Sequence, residues 1–191
     1  SLPEIPEVRG DSAQCSVLLA DLRKQYARYS NFGVIQPNGD VSCSALPLTG
    51  VVTVTDRGYF QHALESKEFA VGDYQIGRIT DKPGINFGYP ILDKEGRVQG
   101  VVFAAMDLDQ LSHIEFEFER QLTRDTTFSK IDSAGTFIAH YPDPDQWIGQ
   151  QMPETFLLDT ILRQGEGIVE VSDSSGVTRI YGYATVSSRL F

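Results

Sequence analysis

The chain has no stretch of about 20 apolar residues, so nothing in its 191 residues reads as a membrane-spanning helix. It also has no basic run: 16 Lys and Arg stand against 26 Asp and Glu, a formal charge of −10. Such a surface repels polyanions, which excludes nucleic acid as a partner and disfavours anionic lipid. A secretory leader pattern is missing as well. The chain opens at Ser1 without Met and stops at Phe191 just after a predicted strand. It is therefore read as an excised piece of a longer protein, about which the missing membrane segment says little.

Residues that carry chemistry are scarce. None of the three histidines, His62, His113 and His140, is spaced with another His or a Cys as a metal pair requires. No glycine-rich phosphate loop is present. Ser174-Ser175-Gly176 falls in a hairpin turn rather than on a nucleophile elbow. Asp132, Asp143 and Asp145 could surround calcium, but without the Gly and Glu of a calcium loop they read as polar turns. No catalytic residue, metal or cofactor is assigned.

Cysteine is limited to Cys15 and Cys43. A bridge between them would pin the first helix to the first hairpin, a constraint worth about 3–4 kcal/mol on a chain-entropy estimate. It would also imply an oxidising compartment. The alternative is a pair of buried thiols acting as small hydrophobes.

What the chain does have is turns. Four times a short apolar run is followed by a two-residue turn ending in glycine and a second apolar run. The turns are Asn38-Gly39, Glu95-Gly96, Ala134-Gly135 and Ser175-Gly176. Glycine supplies the positive φ of a tight hairpin, and flanks rich in Val, Ile, Phe and Tyr read as antiparallel strands. Two hairpins fall before residue 107 and two after residue 125, with helical stretches between. The fold class is therefore α+β, in two small tandem modules.

Asp11 or Ser12 reads as the cap of the first helix, with Gln14 as its partner. The apolar stripe Cys15, Leu18, Leu19, Leu22, Tyr26 and Tyr29 extends that helix to about 18 residues. Asp56 reads as the N-cap of a short helix over 57–66. FAVGDYQIGRITDKPGINFGYPI reads as two strands joined by a Lys82-Pro83-Gly84 turn. The run VVFAAM reads as a central strand buried on both faces. Residues 108–123 fit a helix through Leu111, Ile114, Phe118 and Leu122 better than a strand. The second module reads as a hairpin over 127–141, a helix from Pro153 to Arg163, and a hairpin over 167–187. Its Tyr141, Trp147, Tyr181 and Tyr183 read as core.

One constellation could form a binding site. Arg57, Tyr59 and Phe60 open the short helix, Tyr74 and Arg78 follow on the next strand, then Asn86 and Tyr89, and Asp107 ends the buried strand. Arginine holds carboxylates bidentately, and aromatic rings exclude water. These positions suit a small ligand with a carboxylate and an amine or hydroxyl. The competing reading is an internal ion pair, Arg57–Asp107 or Arg78–Asp107, with the aromatics as core.

These residues bear a family resemblance. The stretch from DRGYF to DLDQL, with its Arg-aromatic helix and P-[IV]-x-D-x-x-G-x-x-x-G-V hairpin, is similar to the double Cache domain. This is a tandem PAS-like extracytoplasmic sensor of bacterial receptors. WIG and the closing GIVEVSDSSGVTRIYGYATV resemble its membrane-proximal module.

The resemblance implies a leader and long helix over 1–30, a membrane-distal module over 31–107, a connecting helix over 108–125 and a proximal module over 126–191. It also implies that Arg57, Tyr59 and Phe60 hold a ligand carboxylate, with Asp107 meeting an amine and Tyr74 nearby. Tyr59 stands where the family pattern has Trp, Val52 where it has Tyr, and Ile76 where it has Asp. The implied function is periplasmic sensing of an organic acid, amino acid or amine within a histidine kinase or diguanylate cyclase, less readily a chemoreceptor. A homodimer through helix 12–29 is expected. A stand-alone periplasmic binding protein and a small hydrolase using the same pocket are the alternatives.

Overall fold

Ten strands and four helices are described in a computed structural model that covers residues 12–108, 126–153, 155–172 and 176–186. Helix α1 (Ser12–Gln25) leads into β1 (Tyr29–Ile35) and β2 (Val41–Ser44). Helix α2 (Gly58–Ser66), the two-residue strands β3 (Ala70–Val71) and β4 (Gln75–Ile76), and the long β5 (Pro83–Leu92) and β6 (Val98–Asp107) complete the N-terminal part. These strands form one antiparallel sheet in the order β2-β1-β6-β5-β3, with β4 also on β5.

Strand β6 lies at the centre, between β1 and β5, and its apolar run serves both faces. Val102 and Ala104 pack under α1 with Leu19, Phe32 and the cysteines. Val101, Phe103 and Ala105 pack on the other face, with Tyr59, Phe60 and Ala63 of α2. Cys15 of α1 and Cys43 of the edge strand β2 are joined by a disulfide, with their Cα atoms 6.1 Å apart. Beside it Leu19 is fully buried, a contact worth about 1.5–3 kcal/mol.

The C-terminal part holds β7 (Phe128–Ile131) paired with β8 (Phe137–Tyr141), α3 (Pro144–Trp147), α4 (Thr155–Gln164), and β9 (Glu166–Ser172) paired with β10 (Thr178–Ala184). Among the described residues the two hairpins are separate two-stranded sheets. The outer edge of β8 is occupied by residues 149–151 instead: Phe137 exchanges backbone hydrogen bonds with Gly149 and Gln150, and Thr136 bridges to Gln151. Ile138 of β8 shares a third core cluster with Ile85 and Leu108, which joins the two parts.

Several local expectations are corrected. Helix α1 stops at Gln25, because Tyr29 is already paired with Met106 in the sheet, and Tyr26 is exposed. Arg57, not Asp56, occupies the N-cap of α2, because the Asp56 carboxylate is engaged by Arg78. The β4–β5 turn spans Gly77–Lys82, where Gly77 N–H donates to Lys82 O, and Pro83-Gly84 already belongs to the strand. Helix α4 begins after Pro153. Asp11 and residues 109–125 of the connecting segment lie outside the described residues.

Candidate functional site

The face of the sheet beneath α2 carries a small, half-open pocket of about 20 Å³, room for about one water molecule. Its floor comes from Asn31 of β1, Phe103 and Ala105 of β6, and Asn86 of β5. Arg57 and Tyr59 of the first turn of α2 form one wall, and Val52 and Val54 another. Gln75 of β4 and the following segment, Gly77 to Thr80, close the rim.

Position follows from local structure. Arg57 sits at the N-cap with extended backbone (φ −90°, ψ 124°), and no side chain caps there. One guanidinium nitrogen donates to Ile76 O at 3.2 Å. Among the described residues Arg57 makes no ion pair, which leaves donors of its fork uncommitted.

Tyr59, two residues on, is almost fully buried with its ring against Phe103. Burial raises its phenol above the ordinary value of 10.0, opposed by a hydrogen bond with Asn86 and by the positive charges of Arg57 and Arg78.

Arg78 is held otherwise. It grips Asp56 bidentately at 2.7 and 2.8 Å and donates to Thr53 O at 2.5 Å. That hydrogen bond with Asp56, working against partial desolvation, holds the Asp56 carboxyl below its ordinary value. The charged side chains lining the pocket are therefore two guanidiniums, with no carboxylate among them.

The eight residues expected to converge divide into two groups. Arg57, Tyr59, Arg78 and Asn86 line this pocket. Phe60 points into the core beside Ala63, and Tyr89 is half exposed farther along β5, opposite Val102. Tyr74 turns toward the C-terminal part. Its backbone N–H donates to Asp132 Oδ2 at 2.9 Å, and a methyl group on Gly149 (φ +84°) would lie 2.7 Å from its phenol oxygen. Beside it Ser133 Oγ donates to Asp73 Oδ1 at 2.6 Å.

Asp107 lies outside the pocket lining and meets Lys82 at 3.0 Å. Neither arginine pairs with it, which corrects both ion pairs considered from the sequence. The local loop geometry explains this: the turn over 77–82 delivers Lys82 to the end of β6 and sends Arg78 back to Asp56.

Three polar lining residues were missed. Asn31 is buried, and its amide bonds to Ser44, Phe32 and Leu46. Thr80 belongs to the closing turn. Gln75 faces the pocket while its neighbour Ile76 is exposed. A polar residue inside the apolar run of β1 was the available signal for Asn31, whereas a two-residue strand is too short to display alternation.

A wider groove of about 430 Å³ lies between α4 and β9, but its charged side chains, Asp159 and Arg163, face each other at 3.8 Å. Among the described residues no three His, Cys, Asp or Glu gather as metal ligands, and no helix is long and apolar enough to cross a membrane.

The family model described as a Cache domain matches residues 3–190. The chain belongs to the Cache-domain family. Over 87 residues this Cache domain is 31% identical to sporulation kinase D of Bacillus subtilis, a match covering 46% of the chain and 17% of that kinase. In fold it is similar to the extracellular domain of the histidine kinase rpHK1S-Z16, with a TM-score of 0.73 at 17% identity, over 94% of this chain and 74% of that one. It is also similar to the ligand-binding domain of the Pseudomonas fluorescens chemoreceptor CtaA, solved with L-leucine, with a TM-score of 0.64 at 15% identity, over 94% of this chain and 73% of that one.

Proposed function

We propose that this Cache domain is the extracytoplasmic ligand-binding sensor of a transmembrane signalling receptor, and that its ligand is a small molecule bearing a carboxylate. The observation that carries the reading is Arg57: a guanidinium at the wall of a small, carboxylate-free pocket, with no acidic partner among the described residues. Such a fork is suited to bidentate recognition of a carboxylate, and Tyr59, Asn86 and Phe103 shield the contact from water. Arg78, already neutralised by Asp56, shapes the rim and adds positive field.

In this reading the chain is a double Cache domain. Its distal module comprises the six-stranded sheet, and its proximal module the part from residue 126 onward. The parent is a histidine kinase or a diguanylate cyclase, and less readily a chemoreceptor; a kinase relative and the likeness to a histidine kinase's extracellular domain favour the first. Membrane attachment through flanking segments and a homodimer through α1 belong to the same proposal; the solvent-facing Val17 of α1 supports the latter.

A ligand moves such a domain only by binding two arrangements unequally. Here the pocket wall at Gln75 is continuous with Asp73 and Tyr74, which are bonded to Asp132 and Ser133. A shift of the wall is thereby passed to the β7–β8 turn.

The test is a thermal-shift screen of small organic acids, amino acids and amines on the wild type and on Arg57→Ala. A ligand at 100 times its Kd stabilises by about 2.7 kcal/mol. A carboxylate that raises the wild-type Tm and not the variant's supports the reading. Hits of equal size in both proteins remove Arg57 from the site.

A further inference from the structure

The two arginines of the pocket are exchanged across its mouth. Arg57, on the wall that runs into α2, donates to Ile76 O of the opposite wall at 3.2 Å. Arg78, on that opposite wall, returns to the first. Its Nη1 donates to Thr53 O at 2.5 Å, and its fork holds the Asp56 carboxylate at 2.7 and 2.8 Å. Four hydrogen bonds thus join residues 52–57 to residues 75–80, and all four lie at the exposed rim.

The two segments are anchored unequally. The first is stitched to the edge of the sheet: Val41 N–H donates to Val52 O, Val54 N–H donates to Gly39 O, and Thr53 bridges Asp40. The second hangs on β4, which pairs with β5 through two residues only. Beyond β4 the backbone bonds of the turn, Gly77 to Lys82 and Asp81 to Gly77, close on the turn itself, and Ile79 packs against the core beneath α2. The other walls belong to the middle of the sheet and to α2, where Phe103 and Tyr59 are buried. The wall least tied to the fold is therefore residues 75–82. A pocket with room for about one water is smaller than any carboxylic acid, so a ligand enters only when a wall moves.

We propose that residues 75–82 are a flap over the pocket, and that the contact of Arg78 with Asp56 and Thr53, reciprocated by Arg57 on Ile76, is the latch that sets how fast a ligand exchanges. The side chains of Arg78 and Asp56 are 38% and 59% exposed. A pair so open to water is a weak clamp, which suits a contact that must break and reform with each exchange. The flap starts directly after Tyr74, whose N–H is held by Asp132, so it is hinged where the two parts of the chain meet. The proposal rests on this pocket being the ligand site and assigns the device that controls access to it.

The experiment reads opening without a ligand. Both native cysteines are in the disulfide, so Ala105→Cys places a single thiol in the pocket floor. Its reaction with methyl methanethiosulfonate, a small neutral reagent, is timed in the disulfide-bonded chain. Ala70→Cys serves as the control, because Ala70 is as buried as Ala105 and belongs to the same sheet but not to the pocket lining. In the Ala105→Cys background, Asp56→Ala is expected to speed the reaction about threefold or more, and Arg78→Met, which also removes the bond to Thr53, by a larger factor. Asp56→Glu keeps the carboxylate and should stay within about twofold of the parent. Adding Asp56→Ala to Arg78→Met should change little, because both break one contact. Val54→Cys, on the neighbouring wall, gives a second reporter of the same opening.

Unchanged thiol rates in both latch variants overturn the flap. Equal acceleration of the Ala70→Cys control also overturns it, since the part as a whole would then be loosening. Either result leaves the carboxylate reading to the comparison with Arg57→Ala, because no ligand takes part in the thiol reaction.

Discussion

Asp132 accepts a hydrogen bond from the backbone N–H of Tyr74 at 2.9 Å, across a sequence separation of 58 residues. Its other carboxylate oxygen accepts from the N–H groups of Ala134 and Thr136, so one side chain both shapes the β7–β8 turn and holds the strand that carries Gln75. The chain's single tryptophan, Trp147, lies within reach of this junction: it stacks on His140 at 4.8 Å and meets Phe137 edge-on at 5.6 Å.

This junction predicts a separable coupling. Ligand binding in the pocket is expected to change Trp147 emission in the wild type. In Asp132→Ala that response should fall by more than half, while calorimetric affinity changes less than about threefold, because energetic coupling needs the shared contact and binding does not. An undiminished fluorescence response in the variant would remove Asp132 from the path.

The disulfide predicts a stability loss without a loss of specificity. It closes a 28-residue separation, so the double substitution Cys15→Ala, Cys43→Ala should lower unfolding free energy by about 2–4 kcal/mol in urea titrations. The bridge lies on the α1 face of the sheet and the pocket on the other, so the ranking of ligands should not change.

The Asp56–Arg78 pair predicts part of the acid limb of stability. The folded-state carboxyl lies below its ordinary value of 3.8, so its contribution is fully present above that value and is lost as pH falls through the folded one. Between about pH 5 and pH 2, the Tm of Asp56→Asn should therefore fall less steeply than that of the wild type. Parallel curves would show that the pair adds nothing to the pH dependence.

How much of this was legible depended on range. The four glycine turns could be read because each is a local event: Gly39, Gly96, Gly135 and Gly176 all adopt positive φ, between 75° and 90°. The central position of β6 was legible because burial on two faces leaves a continuous apolar run. The partner of Asp107 was not. Nothing local distinguishes Arg57, Arg78 and Lys82 as its cation, and the choice was made by a turn that begins at Gly77, well before the expected Lys82-Pro83-Gly84. Gln75 was obscured for a related reason. Its strand spans two residues, so the side that faces the pocket is set by pairing with Gly84 rather than by any periodicity of its own.

The bond between Cys15 and Cys43 ties α1 to the outermost strand of the sheet. Such a link is not maintained among reduced thiols of the cytosol. On the proposed placement outside the cell's inner membrane, the newly made polypeptide crosses with that helix unfastened and is locked only on arrival. Oxidation is then a maturation step: receptors stalled on the wrong side lack the fastening, and those that arrive acquire a stiffened frame before they report on their surroundings.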